Sequence, residues 1–368
     1  MDSEKKIKVI ISGGGTGGHI FPAISIANKI KEKYPSAEIL FVGAQNRMEM
    51  TKVPEAGYKI IGLPIKPLPR KISFSIFSTF FNLIKSLKQA KKIIKDFKPN
   101  VVVGVGGYAS FAVLHSAQNQ SIPTLIQEQN SYAGLSNKQV TNKVKAICVA
   151  YPNMEKYFPA EKIHYTGNPV RNLNTSATQK EALEFFGLSD HKKTIFVTGG
   201  SLGARTINQS ILKNISKLLE SDIQIIWQTG QYYFENIKAE LEKQNISNSN
   251  LSLHPFINQM DLAFKASDLV VARAGALTIS ELALLKKPAI LVPSPNVAED
   301  HQTKNALSLT SINAAIMIKD FEAEQKLIDC AVQTINNQNF LNQLSENIAK
   351  YAKPNAAEDI VLILSNLL

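Results

Sequence analysis

The residues best suited to chemistry follow a short apolar run near the start of the chain. Gly13 to Gly18 contain five glycines and one threonine, and His19 comes next. A glycine loop between a strand and a helix lets backbone N–H groups and the helix N-terminus face an anion. A helix N-terminus also disfavours imidazolium, so we expect a neutral His19 that can act as a base at pH 7. The alternatives are a tight turn without a ligand and a purely structural histidine.

Two further glycine loops follow apolar runs, at 104–107 before Tyr108 and at 199–203 before Ala204 and Arg205. The first loop satisfies G-x-G-x-x-G, but the second apolar run ends in Gly43-Ala44 and lacks the acid that dinucleotide-binding proteins use for ribose. The chain has no G-x-x-x-x-G-K-S/T, which argues against a P-loop NTPase. Three loops at strand ends indicate one crevice, and a diphosphate-containing ligand is its simplest occupant.

A second constellation of polar residues spans 273–281, with the sequence RAGALTISE. Thr278 with Glu281 three residues later fits a capping box, in which Thr278 is the helix N-cap. The functional alternative places a pyrophosphate on the helix N-terminus and ribose hydroxyls on Glu281.

The segment 293–305 is expected to be a polar loop that leads into a helix and presents Asp300, His301, Gln302 and Asn305. A histidine beside two acids is compatible with metal binding. The spacing is nevertheless poor for zinc, and the chain contains no D-x-D, so we expect no metal and no cofactor.

Short Val/Ile-rich runs alternate with helical patterns along the chain. Continuous apolar runs are typical of strands buried on both faces of a parallel sheet. The predicted strands are 8–12, 38–43, 59–63, 100–106, 123–127, 146–150, 194–200, 223–230, 268–275 and 288–293. The predicted helices include 22–33, 74–97, 205–219, 232–243 and 276–286. This alternation predicts a doubly wound α/β fold.

The strand, glycine loop and helix pattern begins again near residue 194, which predicts two Rossmann-like domains in tandem. We assign residues 1–168 to the first domain and 169–353 to the second, with a last helix at about 354–368 that packs back on the first. A crevice between two such domains is a common ligand site.

Composition and charge narrow the possible partners. The 368 residues include 41 Lys/Arg and 30 Asp/Glu, a net charge of +11. Residues 1–168 hold 23 Lys/Arg against 10 Asp/Glu, and residues 169–368 hold 18 against 20. Nucleic acid, a phosphorylated substrate and an anionic membrane are all compatible with the basic half. Two cysteines exclude a disulfide scaffold, and neither a signal peptide nor a membrane-spanning run is expected.

The basic charge is concentrated at 59–98, which carries ten Lys/Arg and one acid. Phe77, Phe80, Phe81, Ile84 and Leu87 follow helical spacing, so we expect them in the core. Lipid contact is instead expected from residues near the start of this stretch and from its basic face. These residues are Lys71, Ile72, Phe74, Ile76 and Lys88. The alternative is an amphipathic helix with a solvated basic face. The stretch lacks an RNP-type aromatic motif, which argues against nucleic acid.

The motifs together resemble the MurG family of peptidoglycan N-acetylglucosaminyltransferases. They are GGGTGGHIFPA, VVGVGGYAS, IQEQNSYAGLSNK, GNPVR, TGGSLGAR, HPFINQM, RAGALTISE and EDHQTKNA, in the family's order from about residue 8 to residue 306. The resemblance implies a GT-B fold, with two Rossmann-like domains facing a cleft. It implies metal-independent, inverting transfer of N-acetylglucosamine from UDP-N-acetylglucosamine to the 4-hydroxyl of undecaprenyl-diphosphate-linked MurNAc-pentapeptide (lipid I), giving lipid II. It also implies a peripheral enzyme on the cytoplasmic face of the bacterial plasma membrane, with other cell-wall synthesis proteins as possible partners.

Site residues carry over from the matching motifs. His19 is the implied base. The implied UDP-N-acetylglucosamine contacts are Thr16, Gly17, Gly18, Asn130, Arg171, Ser201, Ile257, Met260, Ala276, Leu277, Thr278, Ile279, Ser280, Glu281, Gln302 and Asn305. The implied acceptor side comprises Gly14, Gly15, Tyr108, Glu128 and Gln129, with the lipid diphosphate near the first glycine loop. His301-Gln302 stands where some members have two glutamines. The alternatives are another GT-B enzyme acting on a membrane lipid, a UDP-sugar epimerase, and a non-enzymatic UDP-sugar- or RNA-binding module.

Overall fold

The computed structural model describes residues 6–65, 75–171, 173, 175–246 and 249–368, without the side chains of 75–78 and 298. The chain divides into two compact units. Unit 1 comprises Met1–Arg171 and Lys353–Leu368, and unit 2 comprises Asn172–Ala352.

Unit 1 is built on a seven-stranded parallel sheet. Its strands are β1 (Lys8–Ser12), β2 (Glu38–Ala44), β3 (Lys59–Leu63), β4 (Val101–Gly104), β5 (Thr124–Glu128), β6 (Ala146–Val149) and β7 (Ile163–Tyr165). The strand order is β3-β2-β1-β4-β5-β6-β7, so the direction of winding reverses between β1 and β4. Ligands bind outside the carboxyl ends of strands at such a switch point.

Helices cover both faces of this sheet. They are α1 (Gly17–Lys33), α2 (Glu49–Glu55), α3 (Ser75–Phe97), α4 (Tyr108–Gln118) and α5 (Leu135–Lys138). Val9 and Ile11 lie in one core cluster with residues of α1, whereas Ile10 lies in a second with residues of α4. Because alternate residues of the central strands β1 and β4 are buried on opposite faces, both faces of these strands are apolar.

Unit 2 repeats the same topology with six parallel strands. They are β8 (Lys193–Thr198), β9 (Ile223–Gln228), β10 (Leu251–His254), β11 (Leu269–Ala272), β12 (Ala289–Leu291) and β13 (Ile316–Met317), in the order β10-β9-β8-β11-β12-β13. The helices are α6 (Gln179–Phe185), α7 (Arg205–Lys213), α8 (Ile215–Glu220), α9 (Gln231–Lys243), α10 (Met260–Ala266), α11 (Ala276–Leu284), α12 (His301–Thr310), α13 (Ala323–Ile335) and α14 (Gln338–Ala349). The switch point lies between β8 and β11.

The last helix, α15 (Ala356–Ser365), belongs to unit 1. Its Ile360, Val361 and Leu364 share a buried cluster with residues of α1. At its C-terminal end, the Ser365 hydroxyl accepts hydrogen bonds from Lys33 Nζ at 3.0 Å and the Tyr34 hydroxyl at 2.9 Å. The prediction of a doubly wound, two-sheet α/β fold is confirmed.

The prediction for α3 is wrong in one respect. Phe80 and Phe81 are not core residues, because they are 58% and 70% exposed, and Ile84 is 36% exposed. The buried side of α3 carries Thr79, Ser86, Ala90, Ile93 and Ile94, and Leu87 is partly buried against the same core. The helix has two stripes at helical spacing, and α3 packs against α4. Of the predicted lipid contacts, Lys88 is exposed, whereas Lys71, Ile72, Phe74 and the side chain of Ile76 lie outside the described residues.

Candidate functional site

In unit 1, the loops that follow β1 and β4 meet at the switch point. His19 lies in the first turn of α1 and is half-buried. Its Nδ1 lies 3.0 Å from the Gly14 carbonyl oxygen and 3.4 Å from the Thr16 hydroxyl. Since a carbonyl oxygen only accepts hydrogen bonds, Nδ1 carries the proton in the neutral ring. Nε2 is then the unprotonated nitrogen of the neutral ring.

The β4 loop is shaped by this imidazole. Gly106 has a φ of +93°, which side chains rarely adopt, and a Cβ there would lie 2.9 Å from His19 Nε2 and Cδ2. Gly107 comes next, and Tyr108 begins α4 with its side chain 39% exposed. The second glycine loop therefore forms the wall against which His19 is held.

Glu49, at the start of α2, is a site residue that the sequence analysis missed. It is 1% exposed, and its two carboxylate oxygens accept the backbone N–H groups of Gly15 and Ala44, each at 2.9 Å. A Cβ on Gly14 would lie 2.1 Å from Glu49 Oε1, so the loop requires glycine where the carboxylate approaches. Dinucleotide-binding proteins carry an acid at the end of the second strand, which corresponds to β2 here. In this chain Glu49 lies five residues beyond that strand and binds the loop itself.

Glu128, at the end of β5, is buried and accepts hydrogen bonds from the loop that follows this strand. Its carboxylate accepts hydrogen bonds from the backbone N–H of Asn130 at 3.1 Å, the backbone N–H of Gly134 at 2.9 Å and the side-chain amide of Asn137 at 2.9 Å. Burial raises the pKa of this carboxyl, against the lowering effect of these hydrogen bonds. Glu128 thus fixes the loop that carries Asn130.

Gln129, the next residue, is 1% exposed and lies beneath the β4 loop. Its Nε2 donates to the carbonyl oxygens of Val105 at 2.9 Å and Gln127 at 3.2 Å. Gln127 Nε2 donates to Asn168 Oδ1 at 2.8 Å, and Asn168 Nδ2 donates to the Gln129 carbonyl at 3.0 Å. Glu128 and Gln129 therefore position the loops from below.

The remaining predicted residues of unit 1 lie at its loops. Thr16 is the exposed N-cap of α1, and Gly17 and Gly18 form its first turn, which has no acidic side chain. Gly15 is exposed, although its N–H is bound to Glu49. Arg171 is exposed at the end of the unit's first segment.

In unit 2, Gln228 connects two segments that the sequence analysis treated separately. It is 2% exposed, and its Nε2 donates to Thr198 Oγ1 at 3.0 Å and to the Gly200 carbonyl at 3.2 Å. Its Oε1 accepts the backbone N–H of Ile257 at 2.8 Å. Gln228 thus ties the glycine loop after β8, with exposed Ser201, to the segment of Ile257. Met260, at the start of α10, is 8% exposed.

The capping box predicted at Thr278 is wrong. α11 begins at Ala276, with Gly275 as N-cap in an extended conformation, because β11 already ends at Ala272. Thr278 is the third helical residue, and no side chain caps the helix. The N–H groups of Ala276, Leu277 and Thr278 precede the first intrahelical bond, which Ile279 donates to Gly275. Because the first turn has no acidic residue, this end of α11 is suited to an anion.

Other α11 residues have distinct positions. Glu281 is 7% exposed and lies one turn after Leu277. Ile279 is 2% exposed and packs in the core, and the Ser280 hydroxyl donates to the Ala276 carbonyl at 3.0 Å.

The β12 loop and α12 support the turn before α11. Gln302 Oε1 accepts the backbone N–H of Ser294 at 2.8 Å, which leaves its amide hydrogens as donors for a ligand. Asn305 is fully buried, and its Nδ2 donates to the Ala274 carbonyl at 3.3 Å. In this structure Asn305 therefore holds the turn beneath the N-terminal end of α11.

Arg273 holds the same turn from the other side. Its guanidinium donates to the carbonyl oxygens of Val292 at 3.0 Å and Pro293 at 3.3 Å, and it pairs with Asp320. Asp320 also accepts the Thr206 hydroxyl at 2.9 Å, which links this pair to α7. Among the residues that the structure describes, no group of three His, Cys, Asp or Glu side chains could hold a metal ion. No described helix is long and apolar enough to span a bilayer.

Comparison with known proteins gives matches over both units. The N-terminal domain of glycosyltransferase family 28 matches residues 9–149, and the C-terminal domain of that family matches residues 194–360. Two similar proteins are UDP-N-acetylglucosamine–N-acetylmuramyl-(pentapeptide) pyrophosphoryl-undecaprenol N-acetylglucosamine transferases. The one from Parabacteroides distasonis is 55% identical over 97% of both chains. The one from Bacteroides thetaiotaomicron is 56% identical over 97% of this chain and 96% of the relative.

Solved structures show the same architecture. Acinetobacter baumannii MurG is 28% identical, with a TM-score of 0.78 over 98% of this chain and 100% of that chain. The UDP-GlcNAc 2-epimerase from Neisseria meningitidis, bound to UDP-GlcNAc, is 16% identical, with a TM-score of 0.67 over 98% and 100% of the two chains. The second likeness shows the fold alone.

Proposed function

The chain belongs to glycosyltransferase family 28, and we infer that it transfers N-acetylglucosamine from UDP-N-acetylglucosamine to lipid I, releasing UDP and lipid II. The observation that carries this function is 55% identity to a transferase of this activity over 97% of both chains. The fold is of the GT-B class, with two doubly wound parallel sheets.

The donor diphosphate is proposed to bind at the N-terminus of α11. Unpaired N–H groups and the helix dipole stabilise negative charge, and this charge increases on the diphosphate as the bond to the sugar breaks. Ala276, Leu277 and Thr278 supply these N–H groups, and Ser201 and Arg171 are proposed to add polar contacts. A helix terminus that does this removes the need for a metal at the leaving group.

The nucleoside and the sugar are proposed to bind beside this helix end. Glu281 accepts hydrogen bonds from the ribose hydroxyls, and Gln302 donates its amide hydrogens to the sugar. The segment of Ile257 contacts uracil mainly through its backbone carbonyl, because its N–H donates to Gln228 and its side chain is 3% exposed. Asn305 acts beneath the site and not on the sugar, since it is fully buried.

His19 is proposed to be the general base. Its Nε2 takes the proton of the acceptor 4-hydroxyl as that oxygen bonds to the anomeric carbon of N-acetylglucosamine. The bond from this carbon to the diphosphate breaks in the same displacement, which inverts the configuration. The Nδ1–H bond to Gly14 supports this role because it makes Nε2 the unprotonated nitrogen of the neutral ring.

The assay measures UDP release from UDP-N-acetylglucosamine and a lipid I analogue. We expect release to depend on the acceptor, and we expect His19→Ala to lower kcat by about 10²–10⁴-fold with UDP affinity unchanged. UDP release equal to the donor-only control would refute the transferase activity. An unchanged kcat in His19→Ala would leave the transferase standing and remove His19 as the base.

We also propose that unit 1 binds the cytoplasmic surface of an anionic membrane through α3. Phe80, Phe81 and Ile84 form an exposed apolar patch, and Lys85 and Lys88 follow on the next turn of the helix. Phe81, Ile84 and Lys88 lie on one helix face, because their spacings are three and four residues. Exposed aromatic residues beside basic ones are typical of an interfacial anchor, and each cation adds about 1 kcal/mol near an anionic leaflet.

Vesicle binding tests this surface with matched controls. Phe80→Ser with Phe81→Ser, and separately Lys88→Glu, should reduce sedimentation with phosphatidylglycerol vesicles several-fold. Phe185→Ser and Lys238→Glu change an exposed aromatic and an exposed lysine in unit 2, and they should leave binding unaltered. If vesicle binding falls equally in the α3 variants and in the unit 2 controls, α3 is not the membrane-binding surface.

A further inference from the structure

The buried carboxylate of Glu49 has no role in the reaction described above. Its side chain is 1% exposed, and both of its oxygens face backbone N–H groups. Among the ion pairs of the described residues, none includes Glu49. A buried carboxylate is costly unless hydrogen bonds satisfy it, so a carboxylate held only by backbone groups needs an explanation.

The geometry points to a single peptide group that connects Glu49 to His19. The peptide between Gly14 and Gly15 donates its N–H to Glu49 Oε2 at 2.9 Å. The carbonyl of the same peptide lies 3.0 Å from His19 Nδ1. A trans peptide is planar, with its N–H and C=O pointing in opposite directions, so fixing the N–H fixes the direction of the C=O.

We propose that Glu49 is a positioning residue that orients the imidazole of His19 through the Gly14–Gly15 peptide. This inference rests on the proposed role of His19 as the base. A carboxylate that accepts the N–H polarises the peptide and makes its carbonyl a stronger acceptor. The carbonyl then holds the proton on Nδ1 and turns Nε2 toward the hydroxyl to be deprotonated. This is the task that a carboxylate performs directly in hydrolase triads, carried out here through the backbone.

The surrounding residues are adapted to this carboxylate. A Cβ on Gly14 would meet Glu49 Oε1 at 2.1 Å, and a Cβ on Gly43 would meet Glu49 Cγ at 2.6 Å. The second N–H that Glu49 accepts belongs to Ala44, at the end of β2, so the carboxylate is anchored to the sheet. The position of the peptide is therefore set by a rigid strand and not by the exposed glycine loop alone.

Glu49→Gln is the sharpest test, because the side chain keeps its size. One of its terminal groups then becomes an N–H donor, and it must face either the Gly15 N–H or the Ala44 N–H. We expect kcat to fall about 10–100-fold, with the KM for the lipid I analogue and the affinity for UDP within threefold. Glu55→Gln, on the exposed end of the same helix, is the matched control and should keep full activity.

A double-mutant cycle separates positioning from simple loss of structure. If Glu49 acts through His19, Glu49→Gln should have less than a twofold effect on the residual rate of His19→Ala. A full 10–100-fold effect in that background would overturn the proposal. Glu49→Asp keeps the charge but is one methylene shorter, so it should also lower kcat. If the kcat of Glu49→Asp equals that of the wild type, the exact position of the carboxylate does not matter, which contradicts a positioning role for Glu49.

A spectroscopic measurement distinguishes this proposal from the role of His19 in catalysis. The chain has six histidines, and His19→Ala assigns the ¹⁵N imidazole signals of His19 in histidine-labelled protein. In the wild type, neutral His19 should be the Nδ1–H tautomer. In Glu49→Gln, the population should shift toward the Nε2–H tautomer. An unchanged tautomer would refute the relay even if His19 is the base. If His19→Ala retains its kcat, the base assignment fails while the tautomer measurement still decides the role of Glu49.

Discussion

Gly106→Ala is a direct test of how the glycine loops position the base. The new Cβ would lie 2.9 Å from His19 Nε2 and Cδ2, closer than real Cβ contacts. Since comfortable contacts between such atoms are about 3.5–4.0 Å, the imidazole or the β4 loop must move by roughly 0.5–1 Å. A displacement of this size lengthens the 3.0 Å bond to the Gly14 carbonyl and turns Nε2 away from the acceptor.

The magnitude follows from two separate costs. A misplacement of about 1 Å in a catalytic group lowers the rate by roughly 10²-fold. A non-glycine residue at a φ of +93° costs a further 1–2 kcal/mol or so, which lowers stability rather than the chemical step. We therefore expect a kcat about 100-fold lower with the affinity for UDP unchanged, because the proposed nucleotide contacts lie mainly in unit 2.

Gly57→Ala is the control for the backbone cost. Gly57 has a φ of +85° in the same unit, and a Cβ there meets nothing within 4 Å. The assay compares UDP release at saturating substrates, the melting temperature and UDP affinity by calorimetry for both variants. If Gly106→Ala retains kcat within threefold of Gly57→Ala, the loop does not hold His19 in its reactive position.

Three further predictions concern buried polar groups. Burial lowers the pKa of Lys287 to about 8 from its ordinary value of 10.5. The buried charge therefore destabilises the folded state fully below pH 8, and this cost decreases as the pH rises from 8 to 10.5. The free energy of unfolding that Lys287→Met gains over the wild type should therefore decrease by roughly 2–3 kcal/mol between pH 7 and pH 10. Urea unfolding measures it, with Trp227, the chain's single tryptophan, as the reporter in unit 2. A difference that stays constant with pH would contradict this prediction. Gln228→Leu leaves the Ile257 N–H without its acceptor and should weaken UDP binding about 10-fold by calorimetry, with the kcat of saturated enzyme little changed. Glu128→Gln replaces one of the oxygens that accept backbone N–H groups and should lower the melting temperature by several degrees, measured by calorimetry, whereas an unchanged value would mean that those bonds contribute little.

The sequence was sufficient to predict ten of the described strands, the edge strand β3 among them, because each is a continuous apolar run between turn residues. The three strands that it missed are β7, β10 and β13, and all lie at sheet edges. Their sequences, IHY, LSLH and IM, are short, and two of them include polar residues. An edge strand pairs on one side only and is less buried, so its sequence has no strong apolar signal.

Errors in the site arose where two local patterns compete. Thr278 and Glu281 have capping-box spacing, yet the helix already begins at Ala276 because β11 ends early. Phe80 and Phe81 have helical spacing, yet α3 buries the neighbouring stripe, which includes Ser86, Ala90 and Ile93. The two stripes of α3 are equally periodic, and only tertiary packing decides which of them is buried.

The residues that position the site were beyond prediction for a different reason. His19 and the glycines lie together in the chain, so a local motif reveals them. Glu49 is separated from Gly15 by 34 residues and Gln228 from Ile257 by 29, and nothing in the intervening sequence records that they meet. Every residue except proline has a backbone N–H, so the donor in these hydrogen bonds can be almost any residue type. The sequence therefore does not identify which residue pairs with Glu49 or Gln228.

The two switch points share one topology, yet their glycine loops differ in what they can bind. In unit 1 the Gly15 N–H is already bound to the Glu49 carboxylate, and this buried negative charge opposes a second anion at the loop. In unit 2 the first N–H groups of α11 have neither a side-chain cap nor an acidic neighbour. These differences support the proposals that the donor diphosphate binds at α11 and that the first glycine loop positions His19, the proposed base. For the acceptor diphosphate, we propose that it meets the first glycine loop at its exposed end, near Thr16 and Gly17, where the helix dipole still favours negative charge.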